Sequence, residues 1–268
     1  MSPQNKEALG KKQWNKFFSR KMSRRKIIGG TAVLGISAAV PFLRFPDSQE
    51  FHPVAGYEDE LRKSGLVGLA HDATERLPES LKSGASFLEI DVVEHGGHLF
   101  AAHDKNWLFS LGPDYEKREL SLILGIILGQ GKVPHFDIKF GDKNNSAVNS
   151  FVSITSELTS GFIISGKNHY VLAELARRTP AKPFFTVTKQ GEFESAVSMA
   201  MLDKDKRGVS LKNSLATEEN LKVLKDNGIE SIVWVVNDPQ RALALGRQGI
   251  YGISSDNHNL LNALAFGG

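Results

Sequence analysis

Phe87-Leu-Glu-Ile-Asp-Val92 is an apolar run interrupted by two acids, and its reading decides the fold. Leu88, Ile90 and Val92 make it too apolar for an edge strand, so it belongs to a sheet buried on both faces. Glu89 and Asp91 are two residues apart, which on a strand puts both carboxylates on one face. Polar groups inside or at the ends of short hydrophobic strands are unusual unless something uses them.

The same organisation recurs on either side. Val67–His71, His135–Phe140, Phe162–Ser165, Phe184–Thr188, Gly208–Lys212, Ile232–Asn237 and Gly252–Asp256 read as further strands, which with Phe87–Val92 makes eight. Helical stretches fall between most of them: Pro78–Ser83, Ala147–Leu158, Tyr170–Arg178, Glu192–Met201, Glu218–Asn227 and Pro239–Gly246. Thr217 before Glu218-Glu219 is an N-cap signal, Gly228 a C-cap signal, and Asp238-Pro239 opens a helix with proline in its first turn. Strands alternating with helices predict a parallel α/β fold, and at this size a (β/α)8 TIM barrel. A doubly wound open sheet would more often carry a glycine-rich phosphate loop after its first strand, and the chain has none. His98–His103 is an extra run, and the glycines of His95-Gly-Gly-His98 predict a hairpin turn that returns His103 to the strand ends. The apolar stretch Leu120–Leu128 suits a barrel helix, a lid or a membrane-facing patch, and its pattern does not choose among them.

The chain has 268 residues and no cysteine, which excludes disulfides and thiolate metal sites. Its formal charge of +3 hides an asymmetry. Ten of the 33 Lys and Arg residues, but only one of the 30 acids, fall within residues 1–44, leaving 23 basic and 29 acidic residues, a net −6, for the remainder. A nucleic-acid binder would carry its basic charge on the domain itself, so that class is excluded. Ser23-Arg-Arg-Lys-Ile-Ile28, followed by the uncharged stretch Ile27–Leu43, reads as a twin-arginine-type signal that engages the export machinery, or as a membrane anchor. Residues 1–44 are thus a signal or anchor, 45–64 a polar lead-in and 65–268 the barrel domain. The domain is expected outside a bacterial cytoplasmic membrane, periplasmic, extracellular or anchored facing outward.

Chemistry concentrates at the strand ends. Glu89 and Asp91 can converge on one cation, Asp137 on a following strand adds a third carboxylate, and all-oxygen ligation favours Mg²⁺ or Ca²⁺. Lys139, two residues past Asp137, shares its face and suits a phosphoryl oxygen. His71 and His103 are the acid–base candidates, because imidazole alone titrates near neutral pH unaided. Asp72 can support His71, and Trp234 can line an alcohol or lipid pocket. His135, His169 and His258 have no clustered partners and default to structural or surface roles. The set suits metal-assisted attack on a small-molecule or lipid phosphodiester.

At these residues the chain resembles the glycerophosphodiester phosphodiesterase family of the phospholipase C-like phosphodiesterase superfamily. The resemblance rests on Leu69-Ala-His71, Gly84-Ala-Ser-Phe-Leu-Glu-Ile-Asp-Val92, Ala102-His-Asp104, and Val233-Trp-Val-Val-Asn-Asp-Pro239 followed by Gly249-Ile-Tyr-Gly-Ile-Ser-Ser-Asp256. Asp137-Ile-Lys139 stands where the family has Glu-x-Lys. The resemblance implies a (β/α)8 barrel, His71 and His103 as acid and base, Glu89, Asp91 and Asp137 as ligands of Ca²⁺ or Mg²⁺, and Lys139 near the phosphate. It implies cleavage of a glycerophosphodiester to an alcohol and glycerol 3-phosphate. The chain departs from the family at His71-Asp72-Ala73, where the family reads His-Arg-Gly, and Arg76 is the candidate replacement for that arginine. The short spacing from His71 to Glu89 is similar to that of sphingomyelinase D-like relatives, which makes a lipid phosphodiesterase the alternative. A barrel that binds a phosphate or lipid head group without turnover is a second alternative.

Overall fold

The computed structural model describes residues 54–141, 145–158, 161–203 and 207–265. The expected signal or anchor and residues 45–53 of the lead-in lie outside them. The rest of the lead-in carries a helix, α1 (Glu58–Lys63), whose Leu61 is buried against the domain.

Nine strands follow among the described residues: β1 (Val67–Ala70), β2 (Phe87–His95), β3 (His98–Ala101), β4 (Val133–Ile138), β5 (Ile163–Gly166), β6 (Lys182–Val187), β7 (Gly208–Lys212), β8 (Glu230–Trp234) and β9 (Gly252–Ser255). All except β3 pair in parallel, in the order β1-β9-β8-β7-β6-β5-β4-β2, and β1 pairs with β2 to close the ring. The result is the eight-stranded parallel barrel the sequence predicts. The helices between strands are α2 (Leu77–Lys82), α3 (Lys105–Ser110), α4 (Leu120–Gly129), α5 (Asn145–Thr155), α6 (His169–Arg178), α7 (Phe193–Met201), α8 (Glu218–Asp226) and α9 (Pro239–Gln248), and α10 (His258–Ala265) follows β9.

Strand alternation builds two cores. Outward positions such as Leu88, Ile90, Phe136, Ile164, Phe185, Val209 and Val233 pack against the helices in one continuous apolar layer. Phe136 there meets the edges of Phe151 on α5 and Phe162, at ring-centroid distances of 5.0 and 5.4 Å. Inward positions at the N-terminal end, Leu69, Phe87, Ile163, Phe184 and Ile232, plug the barrel. Each such side chain contributes roughly 1.5–3 kcal/mol by leaving water. Gly208 makes room for this plug, since a Cβ there would lie 2.4 Å from the Phe184 ring.

Two residues further along each strand the interior becomes polar. Phe87 gives way to Glu89 and then Asp91, Val133 to His135 and then Asp137, Ile163 to Ser165 and Phe184 to Thr186, while on β8 Ile232 gives way to Trp234. One barrel therefore has a dry floor and a polar mouth at the C-terminal strand ends, the face on which barrels of this type carry their sites.

The β2–β3 hairpin turns at Gly96 and Gly97, with φ of +59° and +86°, the positive pair that a tight two-residue turn requires. Pairing runs from His95↔His98 to Val92↔Ala101, and the Ala102 amide then donates to the Asp91 carbonyl. The hairpin thereby delivers His103 beside Asp91. Leu120–Leu128 is a barrel helix, α4, with Leu120, Ile123, Leu124 and Ile127 buried and Leu122, Ile126 and Leu128 exposed. No helix among the described residues is long and apolar enough to cross a membrane.

Candidate active site

The polar mouth is a cavity of about 500 Å³ lined by His71, Asp72, Glu89, Asp91, His103, His135, Asp137, Lys139 and Trp234 among others. Of the residues singled out from sequence, Arg76 is not part of this lining. Its Nη2 lies 4.0 Å from Asp256 Oδ1, at the edge of the site.

Parallel register makes Asp91 and Asp137 direct neighbours, with Glu89 one inward position below Asp91. Oxygens of Glu89, Asp91 and Asp137 lie within 4.8 Å of one another. Lys139 bridges two of them, with Nζ 2.9 Å from Asp91 Oδ1 and in contact with Asp137 Oδ2. Ser165 Oγ donates to Asp137 Oδ1 at 3.0 Å, and Ser254 Oγ to Glu89 Oε2 at 3.1 Å. Asp91 Oδ2 is buried and has no hydrogen-bond partner.

Three close carboxylates in a buried setting are costly when all are charged. Burial pushes the Glu89 carboxyl up to about 8, with repulsion from Asp91 and Asp137 adding to it and His71 opposing. Burial works against the Asp91 charge as well, but His103 and Lys139 hold that carboxyl below the usual range. Desolvation disfavours the Lys139 ammonium, yet Asp137 and Asp91 hold it above the ordinary lysine range. A divalent cation fits this group. The donors are all oxygen, they are close enough to converge, and a buried carboxylate oxygen lacks a donor.

His71 directly follows β1. Its Nδ1 lies 3.1 Å from Asp256 Oδ1 and 3.4 Å from Asp72 Oδ2. Burial opposes its charge, but Glu89, the Asp256 hydrogen bond and Asp72 outweigh that and raise the imidazole to about 10. Asn237 fixes Asp256 in turn, its Oδ1 accepting from the Asp256 amide and from Ser255 Oγ, both at 2.9 Å. His103 is half exposed, with Nδ1 3.7 Å from Asp91 Oδ2 and 3.8 Å from Asp72 Oδ1. These are ion-pair rather than hydrogen-bond distances. The Asp91 carboxylate is the main influence that raises this imidazole to about 9. Burial raises Asp72 to about 6, with His71 opposing.

Sequence reasoning missed two features. Asp256, 185 residues from His71, is its nearest carboxylate. His135, assigned a structural or surface role, is buried under the cavity, where its Nε2 lies 2.8 Å from Ser165 Oγ. Burial lowers its imidazole to about 4, so it is neutral. The signal for both was inward parity, His135 lying two residues beyond the apolar Val133 on β4 and Asp256 two beyond the inward Ser254 of β9.

No family model and no curated protein sequence matches the chain. Solved structures do. An Oleispira antarctica phosphodiesterase in complex with the product sn-glycerol-3-phosphate is 17% identical with a TM-score of 0.59, the match covering 75% of this chain and 98% of that one. A Thermotoga maritima glycerophosphodiester phosphodiesterase is 19% identical with a TM-score of 0.56, covering 73% and 95%. A calcium-dependent phosphoinositol-specific phospholipase C from a Pseudomonas species is 13% identical with a TM-score of 0.51, covering 73% and 90%. At these identities the likeness establishes the shared (β/α)8 barrel.

Proposed function

We propose that the chain is a phosphodiester hydrolase that depends on a divalent cation and cleaves glycerophosphodiesters or related lysophospholipid head groups. The observation that carries this reading is the convergence, at the mouth of the barrel, of three carboxylates within 4.8 Å, a lysine across two of them, and two histidines braced by further carboxylates. The likeness in fold to phosphodiesterases, one of them holding glycerol 3-phosphate, supports it.

Glu89, Asp91 and Asp137 would hold Mg²⁺ or Ca²⁺. Bound there, the cation supplies Lewis-acid stabilisation of the charge on the phosphoryl oxygens. Lys139 adds a fixed positive charge at the same place, oriented by Asp91 and Asp137 rather than by substrate. His71 and His103 move the protons. Asp256 and Asp72 approach the two rings at Nδ1, which keeps a proton on that nitrogen and leaves Nε2 to the cavity. Nearby carboxylates hold both rings charged, and that hold weakens when Glu89, Asp91 and Asp137 are committed to a cation, freeing one Nε2 to accept the proton of the attacking hydroxyl or water while the other donates to the leaving alkoxide. Trp234 forms an apolar wall against which the alcohol half can lie.

The basic run and uncharged stretch before residue 44 support action outside the cytoplasmic membrane after twin-arginine export, with membrane association through that stretch. Cell fractionation of wild type and of an Arg24→Lys, Arg25→Lys variant tests this. The hydrolase reading is tested by adding Mg²⁺ or Ca²⁺ to the chelated protein with glycerophosphodiesters and lysophospholipids. Cation-dependent release of the alcohol supports it, and binding without turnover would favour a non-catalytic head-group receptor.

A further inference from the structure

Asp72 is the single non-glycine residue with positive φ among the described residues, at +44°. That backbone is strained for most side chains, although aspartate tolerates it better than most. The turn it makes is closed by the Glu75 amide donating to the Asp72 carbonyl at 3.0 Å. It aims the carboxylate between the two histidines, with Oδ2 3.4 Å from His71 Nδ1 and Oδ1 3.8 Å from His103 Nδ1.

The two rings differ in what else they have. His71 has Asp256 at 3.1 Å. Among the described residues His103 has Asp91 at similar range, and Asp91 falls in both groups of close donors that suit a cation, one with Glu89 and Asp137 and one with Asp72 and His103 themselves. With Asp91 committed to Glu89 and Asp137, Asp72 is the carboxylate left within ion-pair range of His103 Nδ1 among the described residues, with Glu75 further away. We propose that Asp72 is a positioning residue that braces both histidines at Nδ1 and supplies the orienting partner of His103. This rests on the hydrolase reading, and it gives the aspartate found in place of the resembling family's arginine a specific task. The separations exceed hydrogen-bond length, as those of catalytic groups often do before ligand binds.

The competing explanation is that aspartate sits at 72 only because it accepts left-handed backbone. Asp72→Gly separates the two, since glycine suits that backbone but has no carboxylate. In the full chain, the melting temperature of Asp72→Gly should hold or rise. Its kcat should fall at least about tenfold, the scale seen when an orienting partner is lost, with KM within about twofold. Asp72→Asn, which keeps an acceptor but not the charge, should fall between. Ring-nitrogen NMR in Mg²⁺ at fixed pH should show the His103 nitrogens shifted in Asp72→Gly and those of His169, which packs on Phe185, unmoved. This arm needs no turnover, so it tests Asp72 even if no ester is hydrolysed and the hydrolase reading fails. A kcat within threefold of wild type, a change confined to KM, or unmoved His103 nitrogens would each overturn the proposal. If the glycine variant does not fold, the same criteria applied to Asp72→Asn decide.

Discussion

Cation binding at Glu89, Asp91 and Asp137 should release protons, and the structure sets how many. The Glu89 carboxyl is raised to about 8 by burial. At pH 7 it is therefore about nine-tenths protonated, and a ligand carboxylate must give that proton up. Glu89 thus contributes about 0.9 proton per cation at pH 7, falling to about 0.5 at pH 8. His71 and His103, raised to about 10 and 9, stand charged beside the same group, so a second positive charge can only add to the release. The Glu89 share alone makes affinity rise about tenfold per pH unit from 6 to 7, about 1.4 kcal/mol per unit, and flatten above 8, with any histidine release adding to the rise. Calorimetric titration of the chelated protein with Mg²⁺ or Ca²⁺, in two buffers of different ionisation enthalpy, measures the proton count directly. Glu89→Gln should bind weakly and lose the Glu89 share of the release. Binding with no net proton release at pH 7, or an affinity flat from pH 6 to 8, would refute the placement of Glu89 in the cation site.

Three other outcomes follow from the same geometry. His103→Ala should lower turnover at least about 100-fold, the usual worth of a general acid or base, and a variant within tenfold of wild type would remove His103 from that role. His135 is buried and neutral, with its imidazole lowered to about 4, so its folded pKa lies below the unfolded value near 6.5. The unfolded chain then binds the extra proton, and stability present above pH 6.5 is lost as pH falls towards 4, by up to about 3 kcal/mol. Glu89 and Asp72, raised in the folded state, act in the opposite sense in both proteins, so urea unfolding across that window should show wild type losing stability relative to His135→Gln as pH falls. Gly208→Ala should destabilise by about 1–3 kcal/mol, because its Cβ would sit 2.4 Å from the Phe184 ring and 2.9 Å from the Glu230 carbonyl. An unchanged unfolding midpoint would show that the barrel floor yields more readily than its packing implies.

The barrel was legible because its strands are short and buried on both faces, so each stands out as an apolar run between helices. Their ends were less so. β2 continues to His95 because the hairpin with β3 extends its pairing beyond the barrel wall, and β8 stops at Trp234, after which the Val236 amide still reaches the Ser254 carbonyl and the Asn237 side chain accepts from the Asp256 amide. Residues 104–131 resisted reading because α4 is apolar nearly all round, with Leu122 and Ile126 outward and Ile123 and Ile127 inward, so no stripe marks its buried face. The carboxylates and histidines were legible by parity within a strand. Their partners were not, because Asp256 to His71 and Ser165 to Asp137 are contacts made only by closing the ring and setting strand register.

The most direct test of the central claim is product release by the purified full chain. It would be stripped with chelator and then supplied with Mg²⁺ or Ca²⁺ in the presence of glycerophosphocholine, glycerophosphoethanolamine, glycerophosphoinositol and lysophosphatidylcholine. The account predicts release of glycerol 3-phosphate, of lysophosphatidate from lysophosphatidylcholine, or of a cyclic phosphate, that requires the cation and is lost in Asp91→Asn, in which the carboxylate whose buried oxygen lacks a hydrogen-bond donor is neutralised. Folded protein that binds the cation yet hydrolyses none of these esters, or that hydrolyses them equally in chelator, would contradict it.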